Sequence, residues 1–99
     1  MNMELTLLAN FLSAIRNDPR IGPTHVGMYA SFLYLLKQSD GVQPIIFKRE
    51  QIMSISRISA PATYHSVLRD LNENGYVRYE ASYSRKGNKL FLMEIKTEL

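Results

Sequence analysis

Apolar residues recur at intervals of three and four in four stretches of the chain, and this spacing predicts four helices. The first stretch runs from Glu4 to Arg16. The second runs from Thr24 to about Gln38 and is apolar around most of its circumference, so we expect it to be the central core helix. The third covers Lys48 to about Ser56, and the fourth begins at Ser59 or Ala60 and ends at Asn74.

The third and fourth predicted helices are joined by a tight turn, with Arg57 in the turn and Ile58 expected to be buried. Ser59 is a suitable N-cap, Pro61 is tolerated in a first helical turn, and Gly75 is a natural stop because it accepts positive φ. The residues predicted to face inward are Ile52, Ile55, Tyr64, Val67, Leu68 and Leu71. This pattern predicts a helix-turn-helix, whose second helix can enter a DNA major groove.

Beyond Gly75 the apolar period changes to two, which predicts a β-hairpin. In its first strand the inward positions are Val77, Tyr79, Ala81 and Tyr83. A turn over 84–88 leads to a second strand, Lys89 to Ile95, with Phe91, Met93 and Ile95 on one face. Pro44 to Phe47 is a possible short third strand. The predicted fold is therefore α+β, a winged helix-turn-helix with three to four helices and a C-terminal two-stranded wing.

The length of 99 residues indicates one domain. It divides into an N-terminal helix over 1–19, a helical core with the helix-turn-helix over 20–75, and a wing over 76–97. The absence of cysteine excludes disulfides and thiolate zinc sites. No signal-peptide pattern or apolar run of membrane-spanning length occurs, so we expect a cytoplasmic protein without a membrane partner.

The N-terminal helix carries two apolar stripes, and two interpretations of them remain open. One stripe contains Leu5, Leu8, Leu12 and Ile15, and the other contains Leu7, Phe11 and Ala14. Both stripes can pack into the core of a monomer. Alternatively, a small domain leaves the first stripe for a twofold-related copy, which predicts a homodimer interface there.

The net charge of +3 lies entirely in the second half of the chain. Up to Phe47, three basic residues balance three acidic ones, whereas nine basic residues stand against six acidic ones from Lys48 onward. This asymmetry favours a nucleic-acid-binding face, although a charge of this size also serves solubility alone.

The run from Phe47 to Ile95 resembles the winged-helix domains of bacterial transcription regulators, including multiple-antibiotic-resistance repressors and phage replisome organisers. Small stand-alone winged-helix proteins associated with bacterial mobile elements are closer still, over residues 20 to 95. The residues that carry this resemblance are Pro23-Thr24-His25-Val26 with Tyr29, Ser56-Arg57-Ile58-Ser59, Ala62-Thr63-Tyr64-His65 and Leu71-Asn72-Glu73-Asn74-Gly75-Tyr76. Related recognition helices often carry lysines where this chain has Ala60, Pro61 and Ser66.

Three groups of residues are candidates for DNA contact, with a solvated surface as the alternative for each. On the second helix of the helix-turn-helix, base contact is predicted for Ser59, Ala60, Ala62, Thr63, His65 and Ser66. Arg69, one turn further on, is expected either to reach a phosphate or to pair locally with Asp70 or Glu73. Phosphate neutralisation is predicted for Lys48, Arg49 and Arg57. The wing tip carries Arg85, Lys86 and Lys89, which are suited to the backbone or the minor groove.

The sequence therefore predicts a DNA-binding protein, a dimeric transcriptional regulator with helix 59–74 in the major groove of double-stranded DNA. The alternative is a winged-helix module that binds a protein partner in a replication or recombination complex. His25 and His65 stand forty positions apart and the five glycines are scattered, so we expect no catalytic residues, metal or cofactor. Whether a small-molecule effector exists does not follow from the sequence.

Overall fold

The computed structural model describes residues 2–82 and 85–95, which form four helices and one three-stranded sheet. The elements are α1 (Met3–Ile15), α2 (Pro23–Gln38), β1 (Ile45–Phe47), α3 (Arg49–Ser56), α4 (Pro61–Glu73), β2 (Val77–Glu80) and β3 (Asn88–Leu92). The α+β class, the number of helices and the short strand before α3 are thereby confirmed.

The sheet is antiparallel with strand order β1-β3-β2. Its register pairs Ile45 with Leu90 and Val77 with Leu92. Because β3 is the middle strand, the hairpin of β2 and β3 is hydrogen-bonded to the strand that leads into α3. The position of the hairpin relative to α3 is therefore set by main-chain pairing.

The central position predicted for α2 is confirmed, since it contacts α1, α3, α4 and β1. Its buried residues are Met28, Tyr29, Ser31, Phe32, Leu33, Leu35 and Leu36. The ring of Tyr29 stacks on Phe11 of α1 with centroids 3.8 Å apart, and Phe32 meets Phe47 of β1 edge-on at 5.0 Å. Contacts between aromatic rings thus stabilise the packing of both α1 and the sheet against α2.

The start of α4 differs from the prediction. Ser59 is not the N-cap, because the helix begins at Pro61 and its N-cap is Ala60, whose side chain makes no capping hydrogen bond. Ala60 is extended, with φ −98° and ψ 124°. A proline ring disfavours the helical region for the residue before it, so Pro61 prevents the helix from starting earlier. Ser59 consequently lies in the exposed link after buried Ile58.

The prediction that Ile55 of α3 faces inward is wrong. Ile55 is 38% exposed, because α3 packs against α2 and its buried side carries Ile52. In β3 the core face carries Leu90 and Leu92. The opposite face, which includes Phe91, lies outside the core, where the Arg78 guanidinium carbon stands 4.2 Å from the centre of the Phe91 ring.

The first wing strand is shorter than predicted. It ends at Glu80, and Ala81 is exposed although it was expected on the inward face. The predictions for Tyr83 and Ser84 lie outside the described residues. The glycine stop of α4 is confirmed, since Gly75 has φ 81° and the Tyr76 N–H donates to the Leu71 carbonyl at 3.0 Å.

A buried carboxylate joins the α1–α2 loop to the end of α4. Asp18 is 8% exposed and accepts hydrogen bonds from the Arg20 guanidinium at 2.7 and 2.8 Å and from the Tyr76 hydroxyl at 2.6 Å. These hydrogen bonds, that of Arg20 above all, hold the pKa of Asp18 well below its usual range. Burial, together with the carboxylate, raises the pKa of Tyr76 to about 12.

Replacing Asp18 by asparagine is expected to lower the free energy of unfolding by roughly 2 kcal/mol at pH 7. The carboxyl pKa is lower in the folded chain than its unfolded value of about 3.9, so the unfolded chain binds more protons between the two values. The loss of unfolding free energy relative to wild type should have its full size above about pH 4 and become smaller as the pH falls below that value. Urea unfolding across a pH series measures it.

The matched control is Asp40→Asn, which removes the same charge from an exposed turn. We expect it to change the unfolding free energy little at pH 7. A penalty for Asp18→Asn that is equally large at pH 2 and pH 7 would show that the ionised carboxylate is not what stabilises this junction.

Candidate nucleic-acid interface

The N-terminal half of α4 forms an exposed ridge above a buried base. Its inner side is formed by Tyr64, Val67, Leu68 and Leu71, all of which are buried. The residues that the sequence predicts for DNA contact lie on the other side: Ser59, Ala60, Ala62, Thr63, His65 and Arg69 are exposed and Ser66 is half-buried. The structure therefore places this whole group on one accessible surface.

On one side of the ridge lies a cleft of about 400 Å³, here called the turn cleft. Its walls include Thr24 at the start of α2, Arg57 and Ser59 of the turn, and Thr63 of α4. Arg57 has φ 64° and ψ 25°, a left-handed conformation that non-glycine residues seldom adopt. This conformation reverses the chain between α3 and the extended link to α4.

On the other side of the ridge lies a cleft of about 560 Å³, here called the hairpin cleft. The start of α3 contributes Lys48 and Arg49, α4 contributes His65, and the hairpin contributes Arg85. Among the described residues, Glu50 supplies the one carboxylate that lines this cleft, with its oxygen 3.8 Å from the Arg49 guanidinium. The cleft therefore unites cations that are far apart in the sequence.

Local contacts explain how these cations come together. The Lys48 N–H donates to the Gln51 side chain at 2.8 Å, which caps the first turn of α3. Gly87 has φ 114°, and a Cβ at this position would lie 2.5 Å from the Phe47 carbonyl oxygen. The hairpin turn thus approaches the end of β1 more closely than a residue with a side chain permits, which brings Arg85 to the cleft of Lys48.

The two lysines of the wing tip, Lys86 and Lys89, are exposed but do not line either cleft. Lys86 lies in the turn, and Lys89 lies in β3, where it pairs with Ile46 and Glu80 of the flanking strands. Among the three wing-tip candidates, the structure therefore brings only Arg85 to the same cleft as Lys48 and Arg49.

A hydrogen-bonded histidine connects α4 to the start of α2, and sequence reasoning missed this contact. His25 Nδ1 accepts from the Gly22 N–H at 3.0 Å, so its Nε2 carries the hydrogen and donates to Asp70 at 2.8 Å. The Asp70 carboxylate therefore accepts a hydrogen bond from His25. The Arg69 guanidinium has a different neighbour, the Ser66 hydroxyl, at 3.5 Å. Forty-five positions separate His25 and Asp70, so no local pattern signals the pair.

Two buried tyrosine hydroxyls, those of Tyr29 and Tyr64, have no hydrogen-bond partner among the described residues. Leaving a buried hydroxyl unpaired costs about 1–3 kcal/mol. Burial raises the pKa of each to about 12, so both are protonated at neutral pH. Tyr64 lines the hairpin cleft, whereas Tyr29 lines neither cleft beside α4.

The first stripe of α1 is only partly covered within the chain. Leu5 is 63% and Leu12 is 40% exposed, while Leu8 and Ile15 are half-buried. The second stripe packs inward, with Phe11 buried. A groove of about 330 Å³ runs between this open stripe and α2 and includes Leu33, Tyr34 and Lys37. The monomer core therefore leaves Leu5 and Leu12 accessible.

Searches of protein-family models, curated proteins and solved structures gave no significant match to this chain. Within residues 2–82 and 85–95, no helix combines the length and hydropathy that a bilayer-spanning segment requires. In the same part of the chain, no three histidine, aspartate or glutamate side chains cluster closely enough to hold a metal ion.

Proposed function

We propose that this chain is a winged helix-turn-helix protein that binds double-stranded DNA, with α4 in the major groove and the hairpin on the adjoining backbone or minor groove. The observation that carries the proposal is the exposed ridge of α4, flanked on one side by Arg57 and on the other by Lys48, Arg49 and Arg85. A helix that enters a major groove has a phosphate backbone on each side, where these cations neutralise phosphates.

The order of elements supports the winged-helix part of the proposal. The elements follow the order α2-β1-α3-α4-β2-β3, so two helices joined by a short turn come directly before a hairpin, and the hairpin is paired with β1. The hairpin therefore lies beside α3 and α4, where a wing reaches the DNA that α4 contacts.

The side chains on the α4 ridge are better suited to positioning the protein on DNA than to distinguishing one base from another. Thr63, His65 and Ser66 can exchange hydrogen bonds with base edges, and the methyl group of Ala62 can meet thymine. The ridge carries no arginine or asparagine before Arg69. Affinity should therefore come mainly from phosphate contacts at the two clefts, with sequence preference gained from a second half-site. The role we propose is transcriptional regulation.

Duplex DNA binding measured by fluorescence anisotropy across a salt series tests the proposal. With four to six cations of each chain near phosphates, a plot of log K against log salt should have a slope of roughly −4 to −5 for each bound chain. A Thr63→Ala, His65→Ala double variant should keep this slope and lose sequence preference. Absence of binding at low salt would refute the function, and unchanged preference in the variant would refute the role of α4.

The homodimer through Leu5, Leu8, Leu12 and Ile15 is part of this proposal. Sedimentation of the same complexes counts the chains on each duplex. Two chains on a duplex with two half-sites, and a dimer of the free protein at tens of micromolar, are expected. A free monomer with one chain on each duplex would exclude this interface.

The alternative function is a protein-interaction module in a replication or recombination complex. The open groove beside Leu5 and Tyr34 favours it, because an exposed apolar surface of this kind suits a partner protein. The anisotropy experiment separates the two functions: salt-sensitive duplex binding supports the first, and its absence leaves the groove as the functional surface.

A further inference from the structure

Tyr64, which lines the hairpin cleft, carries a buried hydroxyl that the interface described so far does not use. The side chain of Tyr64 is 1% exposed, and less than 1 Å² of its hydroxyl oxygen is open to solvent. No described residue accepts its hydrogen, although the residue lines a cleft walled by charged side chains. A ligand that supplies an acceptor there would satisfy it.

The charges around this hydroxyl indicate an anionic ligand. Lys48, Arg49 and Arg85 line the same cleft, and Glu50 is the one acidic residue beside them within the described part of the chain. The separation of 3.8 Å between Arg49 and Glu50 exceeds hydrogen-bond length, and the two side chains are 45% and 74% exposed. Arg49 can therefore turn toward an incoming anion without losing a strong ion pair.

The protonation state of the hydroxyl suits the same ligand. Burial raises the pKa of Tyr64 to about 12, so the phenol keeps its hydrogen at neutral pH and acts as a donor. A phosphodiester carries one negative charge and two unesterified oxygens, each an acceptor. The cleft, about 560 Å³ in volume, also has room for the sugars on either side of a phosphate.

We propose that the hairpin cleft holds one backbone phosphate of the bound duplex, and that the Tyr64 hydroxyl donates to it, directly or through one water. Because the hydroxyl is covered in the free protein, the contact forms after a side chain at the rim, that of Arg49, turns toward the phosphate. This inference rests on the proposed function and adds to it a particular phosphate and a buried residue that the exposed cations do not reveal.

The variant that tests it is Tyr64→Phe, which removes one oxygen and keeps the ring in the core. Duplex affinity should fall about tenfold, the equivalent of one hydrogen bond to a charged acceptor. The thermal unfolding midpoint should stay the same or rise, because the variant buries no unpaired hydroxyl. Tyr29→Phe is the matched control: it removes the other unpaired buried hydroxyl away from the cleft, and should leave affinity unchanged.

A second measurement locates the phosphate. Neutral methylphosphonates are placed singly along the duplex, and each is titrated with wild type and with Tyr64→Phe. At one position in the duplex, the methylphosphonate should weaken the binding of wild type clearly more than it weakens the binding of Tyr64→Phe. Coupling of this kind marks the phosphate that Tyr64 contacts.

The outcomes separate this inference from the function on which it rests. Equal affinity of wild type and Tyr64→Phe, with no coupled methylphosphonate position, overturns the Tyr64 contact and leaves DNA binding intact. No duplex binding by wild type overturns both. In that case inorganic phosphate, titrated against nitrogen-15-labelled protein, shows whether the cleft serves a small phosphate-bearing ligand instead.

Discussion

Replacing Lys48 and Arg85 together by alanine is expected to lower duplex affinity by roughly thirtyfold to a hundredfold at 0.1 M salt. These two side chains reach the hairpin cleft from opposite walls, the start of α3 and the hairpin turn. Each removed phosphate contact should also reduce the salt slope by about 1, so the double variant should lose about 2 from the slope for each bound chain. Anisotropy across the salt series measures both quantities.

The matched control is Arg16→Ala with Lys37→Ala, which removes the same charge from exposed positions at the ends of α1 and α2. Neither residue lines a cleft beside α4. We expect the control pair to change the affinity less than threefold. Equal losses in the two pairs would mean that net charge alone drives binding, and that the hairpin cleft holds no phosphate.

Alanine at Gly87 is expected to destabilise the protein most among three glycine substitutions, by about 3 kcal/mol. Its φ of 114° is strained for a residue with a side chain, and the new Cβ would meet the Phe47 carbonyl oxygen at 2.5 Å. Because this contact places the hairpin against β1, duplex affinity should also fall. Urea unfolding and anisotropy below the unfolding transition measure the two effects.

Two other glycines provide graded controls. Gly75 has φ 81° with open space around a Cβ, so Gly75→Ala should cost only the left-handed backbone term, about 1 kcal/mol. Gly22 has extended backbone and open space, so Gly22→Ala should be close to neutral. If Gly87→Ala destabilised no more than Gly75→Ala, the hairpin would not depend on its close approach to Phe47.

The sequence predicted helices well where their periodicity was strong and their ends carried chemical signals. The apolar circumference of α2 correctly indicated a central helix, and Gly75 correctly marked the end of α4. The start of α4 was predictable in principle from Pro61, whose effect on Ala60 outweighs the capping preference of Ser59.

The core face of β3 was not readable from the sequence. The run from Leu90 to Met93 is apolar at every position, so alternation of polar and apolar residues is lost there. Pairing with β1 and β2 decides that Leu90 and Leu92 face the helices while Phe91 lies outside. The prediction that Ile55 faces inward is wrong for a related reason, because a short helix such as α3 buries only the part of its apolar face that meets α2.

By itself, the sequence determined the α+β composition, the order of the elements and the exposed positions along α4, because these follow from local periodicity and turn chemistry. Only the tertiary structure decided which side chains share a cleft. Lys48 and Arg85 line the same hairpin cleft, Tyr64 lines it with no partner for its hydroxyl among the described residues, and His25 is hydrogen-bonded to Asp70. Such contacts depend on strand register and on the close approach at Gly87, which join residues too distant in the chain for any local pattern to record.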